Sequence, residues 1–188
     1  MGTYNALGWA ASWNSFTVTV PAYSTVTVVI PQASTNTADL LANGNYVIAN
    51  SQTGLDLDDY QASQTAGALM QMWPGSGASE QIWTLTNLGN NFVKLINADS
   101  GMALDVSQGS ISAGAGIDQQ VWSGSSNQIW QVVNIGNGSY ELLNQHSGLA
   151  LGVPAASSGR GSSVLLDGTG LDQEAPTGAA DQLWAFYN

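Results

Sequence analysis

The chain is 188 residues long, only 8% of them charged, and carries a net charge of −11 with Lys94 and Arg160 as its only cations besides His146. Two scattered cations cannot neutralise the phosphates of a nucleic acid or hold an anionic membrane surface, so neither partner is expected. The absence of cysteine excludes disulfides, thiolate nucleophiles and Cys-based zinc sites, and no apolar run approaches a membrane span. A hydrophobic content of 44%, with seven Trp and six Tyr, specifies a packed core. The many neutral amides and hydroxyls suit a neutral, polyhydroxylated partner, and the acidity serves solubility.

Along the chain, residues 1–16 show neither a basic stretch nor a continuous apolar run, so no signal peptide is read there. Phe16, Val18 and Val20 alternate with Thr17 and Thr19, and Val26, Val28 and Ile30 alternate with Thr25, Thr27 and Val29. With Pro21-Ala22-Tyr23-Ser24 as the turn, residues 1–31 predict a β-hairpin segment. Pro31 closes it, and 32–43 is a polar linker.

From Gly44 onward the chain repeats itself. Gln-x-Trp occurs at Gln81-Ile82-Trp83, Gln128-Ile129-Trp130 and Gln182-Leu183-Trp184. Upstream of each stands an Asn–Gly pair bounding a turn: Asn50 with Gly54, Asn97 with Gly101, and Asn144 with Gly148, the Asn positions 47 residues apart. A short strand follows each Gly, at 55–58, 102–106 and 149–153. The repeats run over 44–86, 90–133 and 137–188, each made of short period-two runs separated by Gly- and Ser-rich turns. Three units are too few for a propeller, whereas a closed three-fold barrel leaves no free edge. The expected fold is all-β: a β-trefoil over 44–188, preceded by the hairpin.

The repeated Gln-x-Trp, the Ser-Gly-x-x-Leu-Asp-Val segment at 100–106 and Gln120-Val121-Trp122 resemble the ricin B-type lectins and the family 13 carbohydrate-binding modules. The hairpin resembles the closing strands of the β-sandwich in family 30 glycoside hydrolases. The resemblance implies a non-catalytic module that binds a neutral oligo- or polysaccharide of galactose or xylan type, without cofactor. It further implies an accessory role beside a glycosidase catalytic domain on a larger secreted protein.

A sugar pocket joins an aromatic face to planar groups that bridge neighbouring hydroxyls. The resemblance assigns these roles in the second repeat to Asp105, Gln120, Trp122, Asn127 and Gln128. In the first repeat it assigns them to Asp58, Gln71, Trp73 and Gln81, with Glu80 in the place of Asn127. In the third repeat Gly152 takes the carboxylate position and Asp167 the aromatic one, with about seven extra residues between Asp167 and Gln182, so no such site is expected. Trp83, Trp130 and Trp184 are read as core anchors.

Other chemistries fit less well. Asp56, Asp58 and Asp59 invite a calcium loop, but Gln61 stands where an EF-hand needs Gly and Gly67 where it needs Glu. His146 has no His or Cys companion and reads as a turn residue. Asn137-Gly138-Ser139 is a formal glycosylation sequon. Glycoside hydrolysis needs two converging carboxylates, and three-fold symmetry separates equivalent acids. The alternatives are a trefoil proteinase inhibitor presenting Arg160 on the loop 157–162, and a purely structural trefoil.

Overall fold

A computed structural model describes the backbone of residues 15–20 and 24–29, and residues 41–154 and 168–188 in full. Most of the linker, the hairpin turn, and the segment that carries Arg160 and Asp167 lie outside the described residues. The chain divides into two compact units, 1–38 and 39–188. In the first, β1 (Ser15–Val20) pairs antiparallel with β2 (Ser24–Val29), setting Phe16 opposite Val28 and Val18 opposite Val26. That register matches the alternation in the sequence.

The second unit holds three lobes, two of four strands and a third of five. Lobe 1 is β3 (Gly44–Asn50), β4 (Asp56–Asp59), β5 (Met70–Trp73) and β6 (Ile82–Gly89). Lobe 2 is β7 (Phe92–Asn97), β8 (Ala103–Val106), β9 (Ala115–Gln120) and β10 (Trp130–Gly136). Lobe 3 is β11 (Ser139–Asn144), β12 (Ala150–Gly152), β13 (Thr169–Gly170) with β14 (Asp172–Glu174), and β15 (Trp184–Tyr187). The first and last strands of the lobes close a barrel in the order β3, β6, β7, β10, β11, β15 and back to β3. The hairpins β4–β5, β8–β9 and β12–β14 cap one end. They are joined by β9–β14 and β5–β13 pairing and a bridge between Leu69 and Asp118. This is a β-trefoil.

Each sequence landmark is a recurring lock. Trp83, Trp130 and Trp184 are fully buried, and each indole Nε1 donates to the carbonyl of Leu57, Leu104 or Leu151 at 3.0–3.1 Å. A buried indole N–H needs such a partner, and this one ties the barrel to the cap. The preceding Gln81, Gln128 and Gln182 accept the backbone N–H of Ser76, Ser123 and Thr177 at Oε1. Their Nε2 atoms donate to the carbonyls of Pro74, Val121 and Ala175. Asn50, Asn97 and Asn144 accept backbone N–H groups of their own turns at Oδ1 and donate through Nδ2 to the preceding lobe in ring order. The turns end at Gly54, Gly101 and Gly148, whose φ of 70–71° lies in the left-handed region that glycine enters without steric cost.

Candidate functional site

In lobe 1 the period-two geometry of β4 turns Leu57 and Asp59 to one side and Asp56 and Asp58 to the other. Cross-strand pairing sets Asp56 opposite Trp73 and Asp58 opposite Gln71, so all four share a face of the β4–β5 hairpin. Gln71 Nε2 donates to Asp58 Oδ1 at 2.6 Å, and Gln81 Nε2 donates to Asp58 Oδ2 at 3.0 Å. Trp73 is 41% exposed and is the only exposed one among the described tryptophans. An amide-braced carboxylate thus stands beside an open indole. Burial raises the Asp58 carboxyl above its ordinary value; the two amides oppose this and Glu80 adds to it.

Glu80 occupies the place of Asn127 but contributes no side-chain donor when ionised. Its backbone carbonyl accepts Asn97 Nδ2 at 2.8 Å. Lobe 3 also borders this face, because β13 pairs with β5. A Cβ on Gly168 would stand 3.5 Å from Gln71 Oε1 and 3.7 Å from the Trp73 ring. Sequence reasoning missed this neighbour, since nothing local to Gly168 points to lobe 1.

Lobe 2 requires a correction. Asp105 does take the place of Asp58, and Asn127 Nδ2 donates to Asp105 Oδ2 at 2.8 Å. However, β8–β9 pairing sets Asp118 opposite Asp105, and Gln120 opposite Ala103. Gln120 therefore stands where lobe 1 has Trp73, and Asp118 where it has Gln71. The same anchors place Trp122 at the position of Gly75, one residue before the Ser that caps the Gln side chain. Lys94 Nζ lies 5.1 Å from the centroid of the Trp122 ring, a cation–π contact. Trp122 is thus not the counterpart of Trp73, while Gln128 accepts from the N–H and hydroxyl of Ser123, donates to the Val121 carbonyl, and favours the ionised form of Asp105. Counting ten residues back from Gln81, Gln128 and Gln182 reaches Gln71, Asp118 and Asp172, a spacing present in the sequence.

In lobe 2 an acid faces an acid across the hairpin. Asp105 is pushed up to about 6, chiefly by burial and then by Asp118, while the Gln128 and Asn127 amides oppose the rise. Burial raises Asp118 as well, against the pull of the Ser107 hydroxyl.

In lobe 3 Gly152 takes the carboxylate position, as expected, opposite Asp172. Glu174, rather than Asp167, stands at the place of Trp73. The cross-strand partners Leu57 and Met72, like Leu104 and Gln119, are 15 positions apart, whereas Leu151 and Gln173 are 22 apart. The extra residues therefore lie between β12 and β14, upstream of Asp172.

The three acids of the calcium reading diverge, with Asp59 fully buried on the other side of β4 from Asp56 and Asp58. Among the described residues no group of three or more His, Cys, Asp or Glu side chains is placed to hold a metal ion. His146 sits in its turn, with its N–H on Asn144 Oδ1 and its Nδ1 3.1 Å from Ser126 Oγ.

Residues 37–120, 81–167 and 126–188 each match the family described as ricin-type beta-trefoil lectin domain-like. The chain belongs to that family. Among solved structures, the lectin-like domain resembles ThreeFoil, a designed three-fold symmetric protein. The two share 35% identity with a TM-score of 0.72, covering 78% of this chain and 99% of that one. It also resembles 1,3Gal43A, an exo-β-1,3-galactanase from Clostridium thermocellum, at 28% identity and a TM-score of 0.69. That match covers 78% of this chain but 30% of the galactanase chain. The Rhizoctonia solani agglutinin shares the fold at 21% identity and a TM-score of 0.67, over 79% and 96% of the two chains. No curated protein matches the chain.

Proposed function

We propose that the trefoil is a non-catalytic carbohydrate-binding module whose principal site is the β4–β5 face of lobe 1. The observation that carries this reading is the exposed Trp73 indole on the same hairpin face as the amide-braced Asp58. Such an arrangement suits a pyranose: the indole takes the apolar ring face, and the carboxylate accepts from two neighbouring hydroxyls. Membership of the ricin-type lectin-like family supports the same reading. Lobe 2 supplies a second, more polar site from Asp105, Asp118, Gln120 and Asn127, and lobe 3 supplies none.

The sugar is of galactose or xylan type, and the likeness to part of a galactanase supports the galactose side. The same likeness supports an accessory role on a larger, secreted glycosidase, where shallow pockets of millimolar to micromolar affinity gain avidity on a polymer. The test is a glycan and polysaccharide binding screen on the whole chain, beside Trp73→Ala and Asp58→Ala. The expected result is a galactose- or xylan-type ligand that both variants lose. A parent that binds no glycan, or variants that bind like the parent, overturns the reading.

A further inference from the structure

The lobes meet at three equivalent seams, and the one that joins the last lobe to the first is built differently. There β15 sets Ala185 opposite Ala49, each one residue along from an inward-facing position and so on the outer side of the barrel. The same cross-strand place holds Thr84 opposite Ile96 at the second seam and Gln131 opposite Leu143 at the third. Two residues on, Tyr187 stands where the other seams have Thr86 and Val133, and it is 60% exposed. Ala49 also pairs with Asp56 on β4, where the other lobes pair Ile96 with Ala103 and Leu143 with Ala150. Small side chains, a large ring and an acid thus surround a groove of about 550 Å³, which Asn137 and Ser139 also line.

Asp56 is the group that asks for a ligand. It lines the groove, is only 8% exposed, and no described residue donates a hydrogen bond to its carboxylate. A shielded carboxylate without donors is costly, and the hydroxyls of a ligand would supply them. Gly75 keeps it open: a Cβ there would stand 2.8 Å from Asp56 Oδ2, and lobe 2 carries Trp122 at that place. Across the hairpin Asp56 faces Trp73, and it lies two positions from Asp58 on the same strand face, about 7 Å away. The groove therefore runs on from the lobe 1 site. A carboxylate, an amide, a hydroxyl and an open phenol ring suit a second pyranose. No Lys or Arg lines the groove, so an acidic sugar would find no counter-charge beside Asp56.

We propose that this seam groove holds a further residue of the same neutral saccharide chain that lobe 1 binds over Trp73, so that the site reads an oligosaccharide of two or more units. This rests on the carbohydrate-binding reading and adds to it the length of the ligand and the direction in which it runs.

The experiment titrates the 15N-labelled whole chain with galactose and xylose, and with β-1,3-galactobiose, β-1,3-galactotriose, xylobiose and xylotriose. One oligosaccharide is expected to bind at least about tenfold tighter than its monosaccharide. It should shift the amides of 137–139 and 185–187 as well as those of 56–73, whereas the monosaccharide shifts only the latter. Ala185→Gln and Tyr187→Thr install the residues that other seams carry at those places. Each should bring the oligosaccharide down to monosaccharide affinity and leave monosaccharide binding unchanged. A parent-like amide spectrum identifies a folded variant, and either variant suffices if the other fails to fold. The proposal is overturned if no oligosaccharide binds tighter than its monosaccharide, if the shifts stay out of the groove, or if the folded variants bind like the parent. Monosaccharides that still shift lobe 1 in those cases leave the carbohydrate-binding reading standing, whereas no shift with any probe removes both.

Discussion

Asn50 donates through Nδ2 to the carbonyl of Asp181 at 2.9 Å, spanning 131 positions of sequence to join the first lobe to the last. Its Oδ1 accepts the N–H groups of Gln52 and Thr53, so one side chain shapes its turn and closes the ring of lobes. Asn97 and Asn144 make the same contacts to the lobes before them. Replacing Asn50 with Ala removes four hydrogen bonds and leaves buried groups unpaired, a loss of about 1–3 kcal/mol. Urea unfolding should show Asn50→Ala, Asn97→Ala and Asn144→Ala destabilised by similar amounts. A parent-like midpoint for all three would contradict the role given to these stitches.

Trp73 and Trp83 should separate binding from folding. Trp73 is 41% exposed, so Trp73→Ala is expected to change stability by no more than about 0.5 kcal/mol. It should weaken sugar binding at lobe 1 at least about tenfold, the scale of one lost stacking contact. Trp83 is fully buried with its indole N–H bonded to Leu57, so Trp83→Ala should cost about 3–5 kcal/mol. Calorimetry of both variants, with and without ligand, checks the split.

Trp122 is a third case, because its ring carries the Lys94 ammonium. Trp122→Ala should lose about 0.5–1 kcal/mol of stability from the cation–π contact and leave lobe 1 binding unchanged. Lys94→Met should produce a similar loss, and the double variant should lose little more than either single one. Fully additive losses would show that the two side chains are not coupled.

Acidification should stabilise the domain. Burial is the largest cause pushing Asp59, Asp105 and Asp172 each up to about 6. Asp59 is the extreme case. The Gln119 amide lies near it but donates to the carbonyls of Ser63 and Thr65, and both Asp59 oxygens have no hydrogen-bond partner. A carboxyl raised on folding binds more protons in the native state than in the unfolded chain between about pH 4 and 6. Its contribution is therefore full below pH 4 and is lost as pH rises through 6. The melting temperature should be higher at pH 5 than at pH 7, and Asp59→Asn should shrink the difference. A maximum at pH 7 or above would show that these acids are not held protonated.

The legible part of this protein is its three-fold frame. Asn50, Asn97 and Asn144, the glycines that follow them, and the three Gln-x-Trp triplets can be read from the chain because each meets a backbone demand of its own lobe. A left-handed turn, two exposed peptide groups and a buried indole recur at every copy whatever the ligand. Asp58, Gln71, Gln81 and Trp73 were named through the family resemblance; the β4–β5 pairing puts Asp58, Gln71 and Trp73 on one face, and two amide hydrogen bonds tie Gln71 and Gln81 to Asp58.

The partner of each acid was missed, although counting ten residues back from Gln81 and Gln128 reaches Gln71 and Asp118. Gln71-Met72-Trp73 and Gln120-Val121-Trp122 read alike, yet the fold sets them two residues out of step. Side chains along a strand alternate with period two, so a two-residue slip keeps every residue on its original face and leaves the polar–apolar pattern intact. Sequence therefore determined which faces are polar and that the fold repeats three times. Only the cross-strand pairing of Asp58 with Gln71 and of Asp105 with Asp118 decided what each carboxylate touches, because register is set by hydrogen bonding between strands, and along the chain the Gln-x-Trp likeness and the ten-residue spacing point to different partners.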